Sequence, residues 1–435
     1  MFPNPQEALP LPPRPHLEHY RKLAKDLVKA YRSGEVESLA AFADHWVASL
    51  WRATRTTAGP ARQRADRAAS NVEEFARRHL ANGCSLGEAQ FVVARSHGFA
   101  TWPRFVEHLD RLSRGSEAFE AAADAVVSGD EAALRALLAA DPGLVRTSSD
   151  REHGATLLIY TSANGVEMYR QHTPGNIVRL AEILLDYGAA VDATADVYGS
   201  ACTTLGLAAT SAHPRAKGVQ LQLLQLLVER GAHMEDGIAG GRGGIVLACL
   251  GNGCPETAAY FADRGARVGL AEAAGIGRRE TVERFLEAGA ATQREKNEAL
   301  LHACANGRTE IAGLLIRSGA EAGATSSDGQ TPAHLAAITG NLETLKRLLA
   351  HDPPLEHQNA YGGTVLGQTL WSAAHGGDPD RFIAILDSLL AAGAKLPDRH
   401  VPVNAQVDAF LASKGSRAEP AWHWFGEKPR QHRNR

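Results

Sequence analysis

The stretch DGQTPAHLAAITGNLETLKRLLAHDPPLEHQNA, residues 328–360, decides the fold of this chain. Asp328-Gly329 predicts a turn, because glycine adopts positive φ at no steric cost. Thr331-Pro332 then starts a short helix that ends at Gly340. Asn341 caps a second helix, whose leucines recur on one face: Leu342, Leu345, Leu348 and Leu349. Neither helix can bury its apolar face alone, so the segment requires neighbours of the same kind.

The segment TPAHLAAITGN, residues 331–341, resembles the TPLHLAAxxGH signature of ankyrin repeats. The spacing also agrees, since residues 328–360 make up one repeat of 33 residues. The resemblance implies a solenoid in which each unit packs only on its neighbours. It also implies that His334 ties the turn of one repeat to the next through hydrogen bonds to the backbone.

Two glycine markers extend this phase along the chain. One follows the first helix of a unit, at Gly129, Gly165, Gly253, Gly277, Gly307 and Gly340; the other is a Gly-Ala pair after the second helix, beginning at Gly188, Gly231, Gly265, Gly289, Gly319 and Gly393. We therefore predict an all-α fold, an ankyrin-repeat solenoid of about eight helix-turn-helix units. These cover residues 117–150, 151–195, 196–236, 237–268, 269–293, 294–325, 326–360 and 361–397.

The remaining chain divides into three parts. Residues 1–15 are rich in proline and are expected to be a mobile leader. Residues 16–113 are predicted to be an N-terminal helical cap domain ahead of the solenoid at 117–397, and residues 398–435 a C-terminal cap with a basic and aromatic tail. Ser85 and Glu88 form a capping-box pattern in a segment that resembles the helical extension preceding ankyrin repeats in a group of bacterial proteins. That resemblance implies a cap and no activity.

Composition and motifs narrow the functional classes. The net charge of −3 does not favour nucleic acid as a partner, and no apolar run approaches the length of a membrane span. Five scattered cysteines without a CxxC pair are expected to be reduced thiols in a cytoplasmic protein. The sequence contains no HExxH or P-loop pattern, and we expect no metal, no cofactor and no catalytic residue.

Three irregularities, in the second, third and fifth repeats, break the pattern. The second repeat carries an insertion of about eleven residues near Val166–Asn176, with the sequence VEMYRQHTPGN. The third unit, which begins YGSACTTLGLAATSAHPRAKG, is expected to have a lengthened first helix. The fifth unit is too short to hold the usual turn between repeats. Asn164, Asn252 and Asn306 each precede a marker glycine, either because asparagine tolerates a left-handed helix end or because they form a polar ladder.

The leading hypothesis is an interaction scaffold that binds a protein or peptide through the concave face of the repeats. By the repeat pattern, the binding residues are His153, Asn164, Tyr169, His172, Thr203, Thr204, Ser211, His213, Asn252, Asn306, Asp328, Gln330 and Thr339. His302 occupies a position where the pattern expects leucine, and is either a satisfied core histidine or a site residue.

The alternative is a small-molecule-binding protein or an atypical enzyme. A pure scaffold does not need consecutive irregular units, and such irregularities can shape a pocket with polar groups and aromatic walls. This hypothesis places a pocket between units two, three and eight, with Tyr160, His172, His213 or Trp371 converging on it.

Overall fold

A computed structural model describes residues 7–12, 15–53, 60–81, 83–113, 118–234 and 244–419. Most of the expected leader, the middle of the arginine-rich segment at 52–67, much of the glycine-rich stretch at 236–253 and the basic tail after residue 419 lie outside the described residues. The chain divides into two compact units, residues 1–248 and 249–435. The described chain is mostly helical, as predicted, with short strands in each unit.

The first unit begins with five helices and continues with shorter helical segments and one β-hairpin. The helices are α1 (Leu17–Arg32), α2 (Val36–Ala53), α3 (Pro60–His79), α4 (Leu86–Ser96), α5 (Trp102–Ser113), α6 (Ala118–Ser128), α7 (Glu131–Ala140), α8 (Leu157–Tyr160), α9 (Ile177–Asp186), α10 (Thr204–Thr210), α11 (Ala212–Ala216) and α12 (Gln220–Glu229). Two 3-10 turns cover Pro142–Arg146 and Met168–Arg170, and the strands are β1 (Thr194–Val197) and β2 (Ser200–Thr203). Helix α13 (Gly244–Gly251) crosses the boundary between the units.

The second unit consists almost entirely of paired helices. These are α14 (Pro255–Asp263), α15 (Leu270–Ile276), α16 (Arg279–Glu287), α17 (Gln293–Ala305), α18 (Thr309–Arg317), α19 (Pro332–Ile338), α20 (Leu342–Leu349), α21 (Val365–Ala374), α22 (Pro379–Ala391) and α23 (Ala405–Ser413). Two-residue strands, β3 (Arg399–His400) and β4 (Arg417–Ala418), pair in parallel around α23. The first helices α15, α17, α19 and α21 pack side by side, and so do the second helices α18, α20 and α22. Their apolar faces form one buried core.

The predicted capping and repeat contacts are present in the structure. Ser85 and Glu88 bond each other's backbone amides at the start of α4. Thr331 caps α19 and Asn341 caps α20. The Thr331 hydroxyl lies 2.7 Å from Nδ1 of His334, whose Nε2 lies 3.0 Å from the Gly363 carbonyl in the next turn. His334 thus links consecutive repeats, as the ankyrin resemblance implied.

The prediction of a lengthened first helix in the third repeat, residues 196–236, is wrong. Residues 194–203 form the antiparallel hairpin β1–β2, with Val197 paired to Ser200 across a two-residue turn. Both turn residues have positive φ, 56° at Tyr198 and 75° at Gly199, the geometry that matches the twist of paired strands. Only then does α10 begin, capped by the Thr203 hydroxyl, which accepts from the Gly206 amide at 3.2 Å.

The interpretation that asparagine adopts the left-handed conformation at the helix end is wrong for Asn306. Asn306 has φ −108°, and the glycine after it takes the positive value instead. Glycine carries no Cβ, so it reaches this conformation more cheaply than asparagine does.

His97 lies at the centre of the buried core built by α1–α5. Its ring packs against Tyr20, Trp46 and Phe105, and its Nδ1 lies 3.0 Å from the Leu9 carbonyl. The Leu9 amide donates to the Ser96 carbonyl at 2.7 Å. The segment before α1 is therefore held against the end of α4 by two hydrogen bonds.

Burial makes this histidine a source of acid sensitivity. It lowers the pKa of His97 to about 3, against the opposing effect of the bond to Leu9, while Arg151, His19 and His108 add like-charge repulsion. Below the ordinary pKa of 6.5 the unfolded chain binds a proton that the folded chain refuses, so stability falls as pH falls from 6.5 towards 3. The loss attributable to His97 is about 1.4 kcal/mol per pH unit inside that window.

We predict that His97→Gln flattens the pH dependence of unfolding between pH 7 and 5. Urea unfolding of the parent and the variant at both pH values measures this change in the free energy of unfolding. Burial also lowers the pKa of His302 and His334, in residues 249–435. Both histidines remain in the parent and in the variant, so their effects on the pH dependence cancel in the comparison. Equal slopes in parent and variant would contradict the assignment.

Candidate functional site

The inserted residues of the second repeat complete a buried cluster of charges, which we call the ion cluster. It comprises Glu120, Arg151, Glu167 and Arg170. Nη1 of Arg151 donates to Glu120 at 2.6 Å, and its Nε lies 2.8 Å from Glu167. Nη1 of Arg170 lies 2.8 Å from the second oxygen of Glu120, so the two guanidinium groups share that carboxylate. Asp124, at the edge of the cluster, accepts from Nε of Arg170 at 2.8 Å.

Pairing outweighs burial in setting the charges of this cluster. Burial by itself raises the pKa of the Glu120 carboxyl, but Arg151 and Arg170 lower that pKa to about 2. Burial and Arg151 oppose each other in the same way at Glu167, and its pKa lies well below the usual range. The two carboxylates therefore stabilise the fold above pH 4.5, the ordinary carboxyl pKa, and that contribution is lost as pH falls through the lowered values.

Two aromatic residues and a histidine enclose the ion cluster. The Tyr169 hydroxyl accepts from Nη2 of Arg151 at 3.2 Å, and the Tyr160 hydroxyl lies 3.5 Å from Glu167. Nδ1 of His153 accepts from the Ala155 amide at 3.0 Å, so its proton is on Nε2, 3.6 Å from Glu167. Donors thus crowd one oxygen of Glu167, while the other is buried without a hydrogen-bond partner. The residues at the centre of the ion cluster are buried and do not contact solvent. A closed set of charges such as this one fixes the position of the backbone segments that carry it.

Three consecutive residues in the turn before α8 join the repeats to the N-terminal helices. Asp150 pairs with Arg111 and lies 3.3 Å from His108 on α5. Arg151 packs over the Phe99 ring at 5.6 Å, besides its role in the ion cluster. Glu152 pairs with Arg95 of α4, and its amide donates to the Gly98 carbonyl at 2.9 Å. This turn therefore contacts α4, α5 and α6 at once.

Asn164 and Ser211, two of the predicted binding residues, meet between the second and third repeats. The Asn164 side-chain amide donates to the Leu207 carbonyl at 3.1 Å, and its oxygen accepts from the Tyr198 hydroxyl at 2.6 Å. The Ser211 hydroxyl donates to the Ala163 carbonyl at 3.5 Å. The donors and acceptors of Asn164 are used between repeats.

The other predicted residues do not form one site. His153 and Tyr169 lie at the ion cluster, Thr203 and Thr204 are buried at the start of α10, and His172 and His213 are exposed. In the second unit, Asn252 and Asp328 are exposed, whereas Asn306, Gln330 and Thr339 are half-buried. Side-chain donors of Asn306 and Thr339 bond carbonyls in their own helices, at 3.0 and 3.1 Å. Tyr160, a wall of the alternative pocket, is fully buried.

Large apolar side chains are exposed at equivalent positions of neighbouring repeats in the second unit. Ile338 on α19 and Trp371 on α21 lie 33 residues apart, each seven residues after its capping threonine, Thr331 or Thr364. They are 38% and 57% exposed, and Tyr361 in the turn before α21 is 79% exposed. We call these three residues the apolar row. The Trp371 ring stacks on His375 at 4.0 Å, which holds it on the surface.

Sequence reasoning missed the four residues of the ion cluster but named three residues that enclose it, His153, Tyr160 and Tyr169. Its close ion pairs join residues 16, 31 and 50 positions apart along the chain, so no local spacing reveals them. One signal was present: Glu120 stands in FEAAADAVV, a helix that is apolar apart from Glu120 and Asp124. A charge in such a position is usually buried with a partner.

The described residues contain neither a candidate metal site nor a candidate membrane-spanning helix. They contain no group of three or more histidine, cysteine or acidic side chains placed to hold a metal ion. No helix among them is both long enough and apolar enough to cross a bilayer.

Comparison with known proteins identifies the repeats. Residues 270–359 and 300–396 match the family described as "Ankyrin repeats (3 copies)". The human protein BCL-6 corepressor-like protein 1 is 35% identical over 88 residues, which are 20% of this chain and 4% of that relative. The chain therefore spans a small part of that protein's length. The matched region consists of ankyrin repeats, a fold that typically mediates contacts between proteins.

Proposed function

We propose that the chain is an ankyrin-repeat interaction scaffold that binds a protein or peptide through the concave face formed by the first helices. The observation that carries this proposal is the apolar row, Ile338, Trp371 and Tyr361. Exposed apolar residues are normal when scattered singly, but Ile338 and Trp371 stand at matched positions of stacked repeats, and tryptophan and tyrosine are typical of binding hot spots.

The surroundings of the row support a preformed surface. The Asn359 side chain reaches Gln330 in one repeat and Gln368 in the next, both at 3.3 Å. The Ala360 amide donates to the Asp328 carbonyl at 2.8 Å. A partner would thus meet a rigid surface, which reduces the entropic cost of binding.

We expect the pair Ile338→Asp and Trp371→Ala to weaken partner binding by about 30-fold or more, since a hot-spot residue contributes about 2 kcal/mol. Capture from the native host identifies a partner, and isothermal titration with that partner measures its Kd for each variant. Leu221→Asp and Phe285→Ala form the matched control, because these residues are similarly exposed on second helices. Equal loss in both pairs, or in neither, would refute the assigned face.

We further propose that residues 16–113 cap the repeats of 117–397 and that residues 398–435 close the other end. The contacts of Asp150, Arg151 and Glu152 with α4–α6 support the first cap, and the packing of α23 on α22 supports the second. We also propose that residues 16–113 are the helical extension that precedes ankyrin repeats in a group of bacterial proteins. All five cysteines are buried thiols, which supports a reducing compartment such as the cytoplasm.

A further inference from the structure

Helix α1 exposes a one-sided stripe of positive charge. Its exposed cations are Arg21, Lys22, Lys25, Lys29 and Arg32. At 100° per residue they fall within an arc of about 100° around the helix axis. The opposite face is buried in the core through Tyr20, Leu23, Ala24 and Leu27. In the described structure, no acidic side chain pairs with Lys25, Lys29 or Arg32, whereas Arg21 is paired with Glu18.

Two adjoining hollows lie along this stripe and form one groove. The first, of 490 Å³, is lined by Lys25, Val28, Lys29 and Arg32, and the second, of 470 Å³, lies between α1 and α2. They share Lys29 and Ser33, so they are continuous. Apolar side chains of the second hollow include Ala41, Phe42 and Trp46. The groove thus has cations along one side and, at its end, a mostly apolar recess that Asp26 and His45 also line.

The charge of α1 contrasts with that of the whole protein. The sequence LEHYRKLAKDLVKAYR holds five cations and two anions, while the chain carries a net charge of −3. Helix α1 therefore carries a local concentration of positive charge, a net +3, on a protein that is slightly negative as a whole. Such concentration steers acidic partners towards one place and orients them there.

We propose that this groove binds an acidic peptide segment of a partner protein, with carboxylates along Lys25, Lys29 and Arg32 and one apolar side chain in the recess beside Phe42. Charge complementarity favours carboxylates, and the recess favours a peptide that alternates acidic and apolar residues. Helix α1 has 16 residues, about 24 Å at 1.5 Å per residue, which matches a peptide of seven or eight extended residues. This surface is separate from the apolar row, so either proposal can fail without the other.

The test uses the full chain and three fluorescein-labelled probes. The first is a 12-residue peptide of glutamate and aspartate with two leucines and one phenylalanine; the second replaces those three by serine; the third is a 20-base-pair DNA duplex. Anisotropy at low and high salt measures binding. We expect the parent to bind the first peptide about tenfold or more tightly than the second, because burying a large apolar side chain contributes about 1.5–3 kcal/mol.

Charge reversal separates this groove from general electrostatics. Lys25→Glu, Lys29→Glu and Arg32→Glu together should weaken binding of the first peptide by about 30-fold or more, since charge pairs act jointly across an interface. The matched control reverses three exposed cations of the second unit, Arg284, Arg294 and Lys346, and changes net charge equally. It should stay within about threefold of the parent, since none of these three residues lines the groove. Circular dichroism confirms that each variant folds, and glutamine at the same three positions provides a milder set.

A second substitution tests the recess. Ala41 is exposed at its edge, so Ala41→Trp should fill it without changing charge. We expect this variant to bind the first peptide no better than the serine peptide. The proposal is overturned if both peptides bind the parent equally, if the reversal and its control behave alike, or if the DNA duplex binds more tightly than either peptide.

Discussion

Replacing Leu345 by aspartate is expected to unfold the stacked repeats of the second unit. Leu345 is fully buried in the core shared by the paired helices. Truncating a buried leucine alone costs about 2–5 kcal/mol, and an unpaired buried carboxylate adds several more. Each repeat depends on its neighbours for burial, so the loss should spread beyond α20 to α18 and α22, which pack against it.

Hydrogen exchange followed by mass spectrometry measures that spread. Peptides from α18 and α22 should lose protection together with those from α20. Lys346→Asp introduces the same side chain at the next, exposed position and should change stability by about 0.5 kcal/mol or less. A Leu345→Asp protein that melts like the parent, or loses protection in α20 alone, would contradict the stacking.

Replacing Arg151 by methionine is expected to lower the free energy of unfolding of the first unit by about 3–5 kcal/mol, the usual loss when one partner of a buried ion pair is removed. Arg151 is buried and contacts both Glu120 and Glu167. Without it, Glu167 keeps Arg170 only at 3.6 Å. The inserted segment then keeps its contacts with α6 through Arg170, but Glu167 is left as a buried carboxylate without a close cation.

The control and a double variant distinguish a buried network from an ordinary salt bridge. Arg78→Met removes an exposed pair with Glu74, whose side chains are 67% and 64% accessible, and should cost about 1 kcal/mol or less. Adding Glu167→Leu to Arg151→Met should recover part of the loss, because two apolar side chains replace two charges and Glu120 keeps Arg170. Urea unfolding measures all three. Equal costs for Arg78→Met and Arg151→Met would show that the cluster is not desolvated as described.

The regular repeats could be predicted because their signals are local. The capping pair Ser85 and Glu88, the capping residue Asn341 and the leucine spacing of α20 each act within a few residues, and each formed the expected contact. The hairpin β1–β2 had a local signal as well, since Tyr198-Gly199 is a two-residue turn between segments of strand length. It was misassigned because a helical repeat was extrapolated across it.

The exposed row was partly accessible to sequence reasoning. The 33-residue offset places Ile338 and Trp371 in register, but the pattern alone does not say that both remain exposed. Exposure depends on how the first helices α19 and α21 pack side by side. The polar ladder, one of two interpretations of the asparagines, stays a prediction; the repeats bring Asn164 within reach of the Leu207 carbonyl and the Tyr198 hydroxyl, which bond its side chain.

By itself, the sequence determined that this chain is built from paired helices in stacked units, because caps, marker glycines and apolar spacing act over about ten residues. It also located the irregular second and third repeats. Only the tertiary structure decided what those irregularities do. The inserted Glu167 and Arg170 find Glu120 and Arg151 across tens of residues, and burial of charge is tolerated only where such distant partners converge.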